Sequence, residues 1–363
     1  MKKAKPRKSH RSQVKKIGMA PGTLVHVGEV KVERPVISIF EYDTTTNSER
    51  TITADEAAQL KPPTHGKLWL NVHGVHDVDL IQKLGNAFKL HPLVLEDILN
   101  TDQRPKVDSY NDYLFIETRC FYYDQAQMEI NSEQISIVLG RNFVLSFQER
   151  ATGAFEPIRQ RLRVGSCHMR ELGSDYLAYA LIDSVVDRYF GVLEQMSEDC
   201  EMLEEALMSK PNNVLLHNIH QLKRASIELR RTVWPLREVV NNLTRNEDKF
   251  FSDYTLPYLR DVYDHTVHCI ESLEAIRDLL GGMMDIYLST ISNRVNLEVR
   301  ALTVVAMLFM PATLISGIFG MNFHNMPVLE QPNGFLWALS LMGGIALSML
   351  LIFWRRQWLT SNS

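Results

Sequence analysis

The stretch FGMNFHNMP (319–327) ends one uncharged apolar run and leads into another. Before it stands ALTVVAMLFMPATLISGIF (301–319), and shortly after it comes GFLWALSLMGGIALSMLLIFW (334–354). Each run is close to the ~20 residues that a helix needs to cross a bilayer. No other segment of the 363 residues qualifies. The chain's mean hydropathy is slightly negative. The tandem therefore reads as a membrane hairpin attached to a large water-exposed body, with a buried hairpin in a soluble core as the alternative.

Basic residues flank the hairpin on one side only. Arg294 and Arg300 precede the first run and Arg355 and Arg356 follow the second, whereas the loop 320–333 has no Lys or Arg. The positive-inside rule then puts both termini in the cytoplasm and the loop outside, with the cell (inner) membrane as the expected location. The opening stretch MKKAKPRKSHRSQVKK (1–16) carries eight Lys and Arg and no apolar segment follows it. It reads as a solvated basic tail, not a signal peptide. Without those eight charges, 31 basic residues face 43 acidic ones, so the body is acidic. Such a balance suits cations and excludes nucleic acid as a partner. Cys120, Cys167, Cys200 and Cys269 form no C-x-x-C pair, and read as free thiols.

Strand-like runs rich in β-branched and aromatic residues are VISIFEY (36–42), KLWLNV (67–72), YLFIETRCFYY (113–123), ISIVLG (135–140) and NFVLSF (142–147). DLIQKLGNAFKL (79–90) and HPLVLEDILN (91–100) between them have helical periodicity. From Leu172 the pattern is helical, broken near Pro211, Asn212 and Asn213, and a third helix from about Pro257 runs without a strong break except Gly281-Gly282. The expected fold is an α/β cytosolic domain plus long helices, followed by a two-helix transmembrane segment. The expected divisions are a basic tail (1–20), the α/β domain (21–165), a helical hairpin (166–250), and a stalk helix continuing into the first span (251–319). After these come the outer loop (320–333), the second span (334–354) and a short basic end (355–363).

Two spans are too few to line a pore, so an ion path needs several copies around one axis. Asn296, Val299, Leu302/Thr303, Ala306, Met310, Thr313 and Gly317 recur at helical spacing, small or weakly polar and without charge. Such a line serves either a pore or ordinary helix packing.

GMN at 320–322 after a first span, with a second span close behind, resembles the CorA family of magnesium transport proteins. The resemblance extends to HPLVLEDILN (91–100), QRPKV (103–107), WPLRE (234–238), RDVYDH (260–265) and MPATLISGIFGMNF (310–323), in the same order, and covers about residues 21–359. It implies a funnel-shaped homopentameric channel in the lipid bilayer, passing hydrated Mg2+ and, by family analogy, Co2+ and Ni2+ as secondary ions. It also implies roles for particular residues. Gly320 and Asn322 would form the selectivity filter. Asn296, Thr313 and Met310 would line the pore, and Val299 and Leu302 would form a hydrophobic gate. Asp285 would stand at the cytosolic mouth. Asp97, Glu96, Asp183 and Asp261 would bind regulatory Mg2+ between subunits. Mg2+ sheds water reluctantly, so neutral oxygens that hold the hydrated ion are the fitting filter chemistry. GMN also fits a helix C-cap. Val328 stands where related proteins often carry an acid, which leaves Glu330 as the loop's only carboxylate.

Asp261, Asp264, His265 and His268 share one helix face, and His217/His220 and His73/His76 form similar pairs. His with Asp suits zinc, but without a supporting Cys these read as solvated faces. The sequence holds no G-x-S-x-G, H-E-x-x-H or P-loop, so an enzyme is not expected. A zinc transporter of the related ZntB type and a membrane-anchored scaffold or enzyme are the alternatives to a Mg2+ channel.

Overall fold

The structure is a computed structural model that describes residues 18, 20–165, 168–209, 211–321, 333–356 and 358. A single sheet is built from β1 (Val36–Tyr42), β2 (Asn47–Ile52), β3 (Lys67–His73), β4 (Lys106–Ser109), β5 (Tyr113–Asp124), β6 (Glu129–Gly140) and β7 (Phe143–Gln148). Its order is β2-β1-β3-β7-β6-β5-β4. Every pairing is antiparallel except β3 with β7, which run parallel.

Strand β3 is buried from Leu68 to His73, as its continuous apolar run requires of a strand covered on both faces. Leu68, Leu70 and Val72 join a core with Leu80, Ile81 and Leu84 of α2 (Val78–Phe88) and Val94, Leu95 and Ile98 of α3 (Pro92–Leu99); a five-residue α1 (Ala54–Ala58) precedes them. A Cβ at Gly85 would fall 2.4 Å from Leu95 Cδ1, so glycine permits the close approach of α2 and α3. On the other face Trp69 stacks on Phe40 at 5.2 Å and meets Phe155 edge-on at 6.2 Å. Its indole N–H donates to Ser146 Oγ (2.9 Å), whose hydroxyl donates to Asn71 Oδ1 (3.0 Å), so this buried polar row is satisfied.

The five expected strands all form. β2 and β4 lie outside that expectation because NSERTI and KVDS are polar edge strands, and the first half of β6, EINSEQ, lacks an apolar face. Edge strands with charged side chains resist pairing with other chains, which is also why they carry no period-two apolar signal.

Four long or medium helices follow and a fifth ends the described chain: α4 (Glu156–Val164), α5 (Ser174–Ser209), α6 (Asn213–Arg245), α7 (Leu256–Phe319) and α8 (Gly334–Arg355). Asn212 caps α6 by accepting from the N–H groups of Val214 and Leu215 at 2.9 Å, so the expected break is an N-cap. Leu259, Val262, Cys269, Leu273, Ile276 and Leu280 form the buried seam of the first part of α7. Gly281-Gly282 do not interrupt it. Each glycine costs ~1 kcal/mol relative to alanine, too little to break a helix anchored this way.

The chain forms two compact units, one running through the sheet and helices to Gly282, the other comprising residues 209–211 and everything from Met283 onward. The second unit contains the apolar part of α7 and α8. Only 6% of the most apolar 18-residue window of each is buried, unlike the core helix of a soluble protein.

Candidate ion pathway and ion-sensing sites

In the second unit one strip of α7 is covered and the rest of its surface, Val305, Phe309 and Leu314 included, is exposed. Val304 is buried, and Leu308, Pro311, Ile315 and Phe319 are half-buried. Asn296, Val299, Leu302, Ala306, Met310, Thr313 and Gly317 are exposed. At ~100° per residue the centre of this exposed line lies roughly 145° from Val304. Asp285 is exposed and falls on the same line about three turns earlier. Thr303 and Thr313 donate their hydroxyls to Val299 O (2.7 Å) and Phe309 O (2.9 Å), which satisfies them within the helix and leaves an uncharged surface.

Gly320 continues the helical hydrogen bonding, its N–H donating to Ser316 O at 2.9 Å. It is not among the glycines with positive φ, so it does not act as a left-handed cap. A Cβ there would sit 3.2 Å from Ser316 O, a tight approach that glycine avoids. Asn322, Val328 and Glu330 lie outside the described residues.

In the first unit the quoted motifs meet in pairs. Asp97 of α3 accepts from Gln103 Nε2 (2.8 Å) and from Lys106 Nζ (2.6 Å), both within QRPKV. Burial works against the Lys106 charge, but hydrogen bonds from Lys106 to Asp108 and Asp97 outweigh it and raise its pKa. Glu117 is fully buried and, among the described residues, accepts only the Ser136 hydroxyl, at 3.2 Å and 3.3 Å to its two oxygens. Burial, then the Asp97 charge, pushes the Glu117 carboxyl well above its ordinary range. Glu96 Oε2 accepts the N–H of Gly22 at 2.6 Å. The same arm bridges Val27 to Asn100, so the end of α3 is held by the chain preceding β1. Arg237 of WPLRE donates to the Tyr263 hydroxyl of RDVYDH at 3.2 Å and 2.9 Å.

Asp183 and Asp187 project from consecutive turns of α5 and converge with His265 of α7, with ligand atoms within 4.8 Å of one another. This is the one group of three or more His, Cys, Asp or Glu donors among the described residues, and Glu96, Asp97 and Asp261 are not part of it. Burial and then the Asp187 carboxylate push Asp183 up to about 6. Asp261 stands beside the group, its Oδ2 3.8 Å from His265 Nε2. The helix-face constellation of Asp261, Asp264, His265 and His268 does not assemble as one site, because His265 turns toward α5. Sequence reasoning missed Asp187 as a partner, although the i, i+4 pair in DSVVD signals two carboxylates on one face. His73 is buried, and burial followed by the Arg159 charge lowers it to about 4.

A model of the CorA-like Mg2+ transporter protein family matches residues 65–357. The chain is 42% identical to the cobalt/magnesium transport protein CorA of Thermotoga maritima over 350 residues, 95% of this chain and 98% of that protein. The chain belongs to the CorA-like Mg2+ transporter family. A second relative, the putative metal ion transporter YfjQ of Bacillus subtilis, is 29% identical and covers 83% of this chain and 92% of its own length. The fold is that of the complete CorA magnesium transporter structure from Methanocaldococcus jannaschii. The TM-score is 0.75 at 20% identity, covering 89% of this chain and 98% of that one. The cytoplasmic domain of ZntB from Vibrio parahaemolyticus shares it more distantly, with a TM-score of 0.55 at 16% identity, covering 71% and 98%. Membership of the CorA-like family fits the sheet, the long helices and the two apolar C-terminal helices described above. It also makes this a transporter family member, not an enzyme.

Proposed function

We propose that this protein carries Mg2+ across the cell (inner) membrane as a passive, potential-driven channel, a homopentamer with both termini in the cytoplasm. The observation that carries the reading is the uncharged exposed line of α7, opposite its covered face, in a chain of the CorA-like family. Five such lines around one axis make a pore without a charge to trap a divalent ion. Gly320 carbonyls and Asn322 amides serve as the outer filter, Asn296, Met310 and Thr313 line the path, Val299 and Leu302 form the dry gate, and Asp285 gathers cations at the cytosolic end. A potential of 100 mV supplies ~2.3 kcal/mol per charge, about 4.6 kcal/mol for a divalent ion, so no ATPase is needed.

Cytosolic Mg2+ closes the channel. Asp97, Glu96, Asp183 and Asp261 repel their counterparts across subunit boundaries when empty, and a bound divalent ion reverses that sign. The test is ion flux into vesicles that contain only this protein. Mg2+ uptake that follows an imposed inside-negative potential and is suppressed by internal Mg2+ is expected. Zn2+ uptake without Mg2+ uptake would support the ZntB-like alternative, and absence of flux from assembled protein would overturn the channel.

A further inference from the structure

We propose that Arg159, Gln148 and His73 form a buried site for a small carboxylate-type anion at the C-terminal ends of β3 and β7. These two strands are the parallel pair of the sheet, and His73 stands opposite Gln148 at the end of their register. The Gly74 N–H donates to Gln148 O at 2.8 Å and ties the two ends together. The C-terminal ends of neighbouring parallel strands are where open α/β sheets receive ligands.

The proton order of the adjoining polar row leaves donors at this end. The Trp69 indole can only donate, so Ser146 Oγ accepts from it at 2.9 Å and turns its own hydrogen to Asn71 Oδ1 at 3.0 Å. Asn71 Nδ2 therefore faces the lone pair of His73 Nε2 at 3.4 Å, and the neutral ring carries its proton on Nδ1. Burial and then the Arg159 charge lower His73 to about 4, so the ring is neutral near neutral pH. Gln148 is 1% exposed, and neither atom of its amide has a hydrogen-bond partner among the described residues. Its oxygen is the match for a proton on Nδ1, which leaves the NH2 group as a free donor.

Arg159 of α4 supplies the charge. It is 9% exposed, with its guanidinium against the Trp69 ring at 5.8 Å. Glu156 accepts from its Nη1 at 3.1 Å and is shared with Arg163 at 2.7 Å. Nε and Nη2 are buried and have no partner among the described residues. These two N–H groups form one edge of the guanidinium, the edge that grips a carboxylate through two parallel hydrogen bonds. Buried donors left without an acceptor are costly, and a ligand that only accepts and carries one negative charge meets all of them. Water has the size but must place its own hydrogens among donors. Chloride has the charge but cannot offer a separate atom to each N–H of the edge.

The test follows the thermal midpoint of the purified full-length protein as sodium formate replaces sodium chloride at constant ionic strength near neutral pH, with the carbon NMR signal of labelled formate recorded in parallel. The parent should show a saturable rise of at least about 2 °C with formate, and exchange broadening of the formate signal. Arg159→Lys keeps the charge and removes the edge, and should weaken formate binding at least tenfold. Gln148→Met keeps the volume and removes the donor; it should also weaken binding, and it tests the site should the arginine variant not fold. Equal midpoints in formate and chloride with an unbroadened signal would show a site filled by water and overturn the proposal. A formate effect unaltered in the folded variants would be a general salt effect and overturn it equally. The readout needs no transport, so either result leaves the channel reading where it stands.

Discussion

Leu302→Ser isolates the gate from the fold. Leu302 is 71% exposed within its own subunit. Full burial of a leucine side chain is worth ~1.5–3 kcal/mol, so the part already covered contributes under ~1 kcal/mol to subunit folding. Serine adds ~0.5 kcal/mol of helix propensity cost. The remaining exposed fraction, worth ~1–2 kcal/mol per subunit, is what closure buries if five copies meet at this level. Serine removes that term and wets the ring, so the closed state loses at least ~1.4 kcal/mol, about a tenfold shift toward conduction. The assay is Mg2+ uptake into vesicles at internal Mg2+ that silences the parent, with pentamer content and thermal midpoint taken from the same preparation. Uptake at least tenfold above the parent is expected, with a midpoint within ~4 °C. Loss of assembly without leak, or silence equal to the parent's in assembled protein, refutes the gate.

Asn322→Ala should abolish Mg2+ uptake while pentamers still form, and near-normal flux from assembled protein would remove Asn322 from the filter. Asp97→Asn combined with Asp261→Asn should keep the channel active at cytosolic Mg2+ that inhibits the parent; unchanged inhibition places the sensor elsewhere. Glu117 has a raised pKa in the folded state. Its stabilising contribution is therefore complete below the ordinary value of 4.5 and falls as pH rises toward the folded value, because the unfolded chain releases the proton first. Glu117→Gln should match the parent in thermal midpoint near pH 4 and exceed it increasingly toward pH 8, and a difference independent of pH would contradict the buried neutral carboxyl. Trp69→Ala should cost ~3–5 kcal/mol, read by denaturant unfolding of the full-length protein, since Trp69 is fully buried against Phe40 and Phe155; a loss under ~1 kcal/mol would mean the sheet refills the space.

Elements that bury one apolar face were legible in the sequence. The alternation of VISIFEY and the near-continuous KLWLNVH each state how many faces are covered, and the seam from Leu259 to Leu280 states a packed helix. NSERTI and KVDS were not legible, because an edge strand is fixed by its neighbour's backbone and not by its own side chains. The site divided in the same way. The line on α7 follows from helical period alone. The convergence of Asp183 and Asp187 with His265 joins positions about 80 residues apart, and only the packing of α5 on α7 brings them together. QRPKV is an intermediate case: its spacing from Asp97 is short, but that Gln103 and Lys106 both turn back to that carboxylate depends on β4 entering the sheet beside β5.

The acids assigned to regulation are not equivalent, and the difference bears on how a divalent ion acts. Asp97 already holds a cation of its own chain, with Lys106 Nζ at 2.6 Å and its side chain only 15% exposed. A divalent ion that uses Asp97 must displace or share that lysine, so its net gain there is the difference between two cations, and its affinity is correspondingly modest. Asp183 has no lysine or arginine bonded to it among the described residues, and burial and then the Asp187 carboxylate lift its carboxyl to about 6. The chain therefore carries two kinds of acidic position, one paired with its own lysine and the other crowded by a second carboxylate.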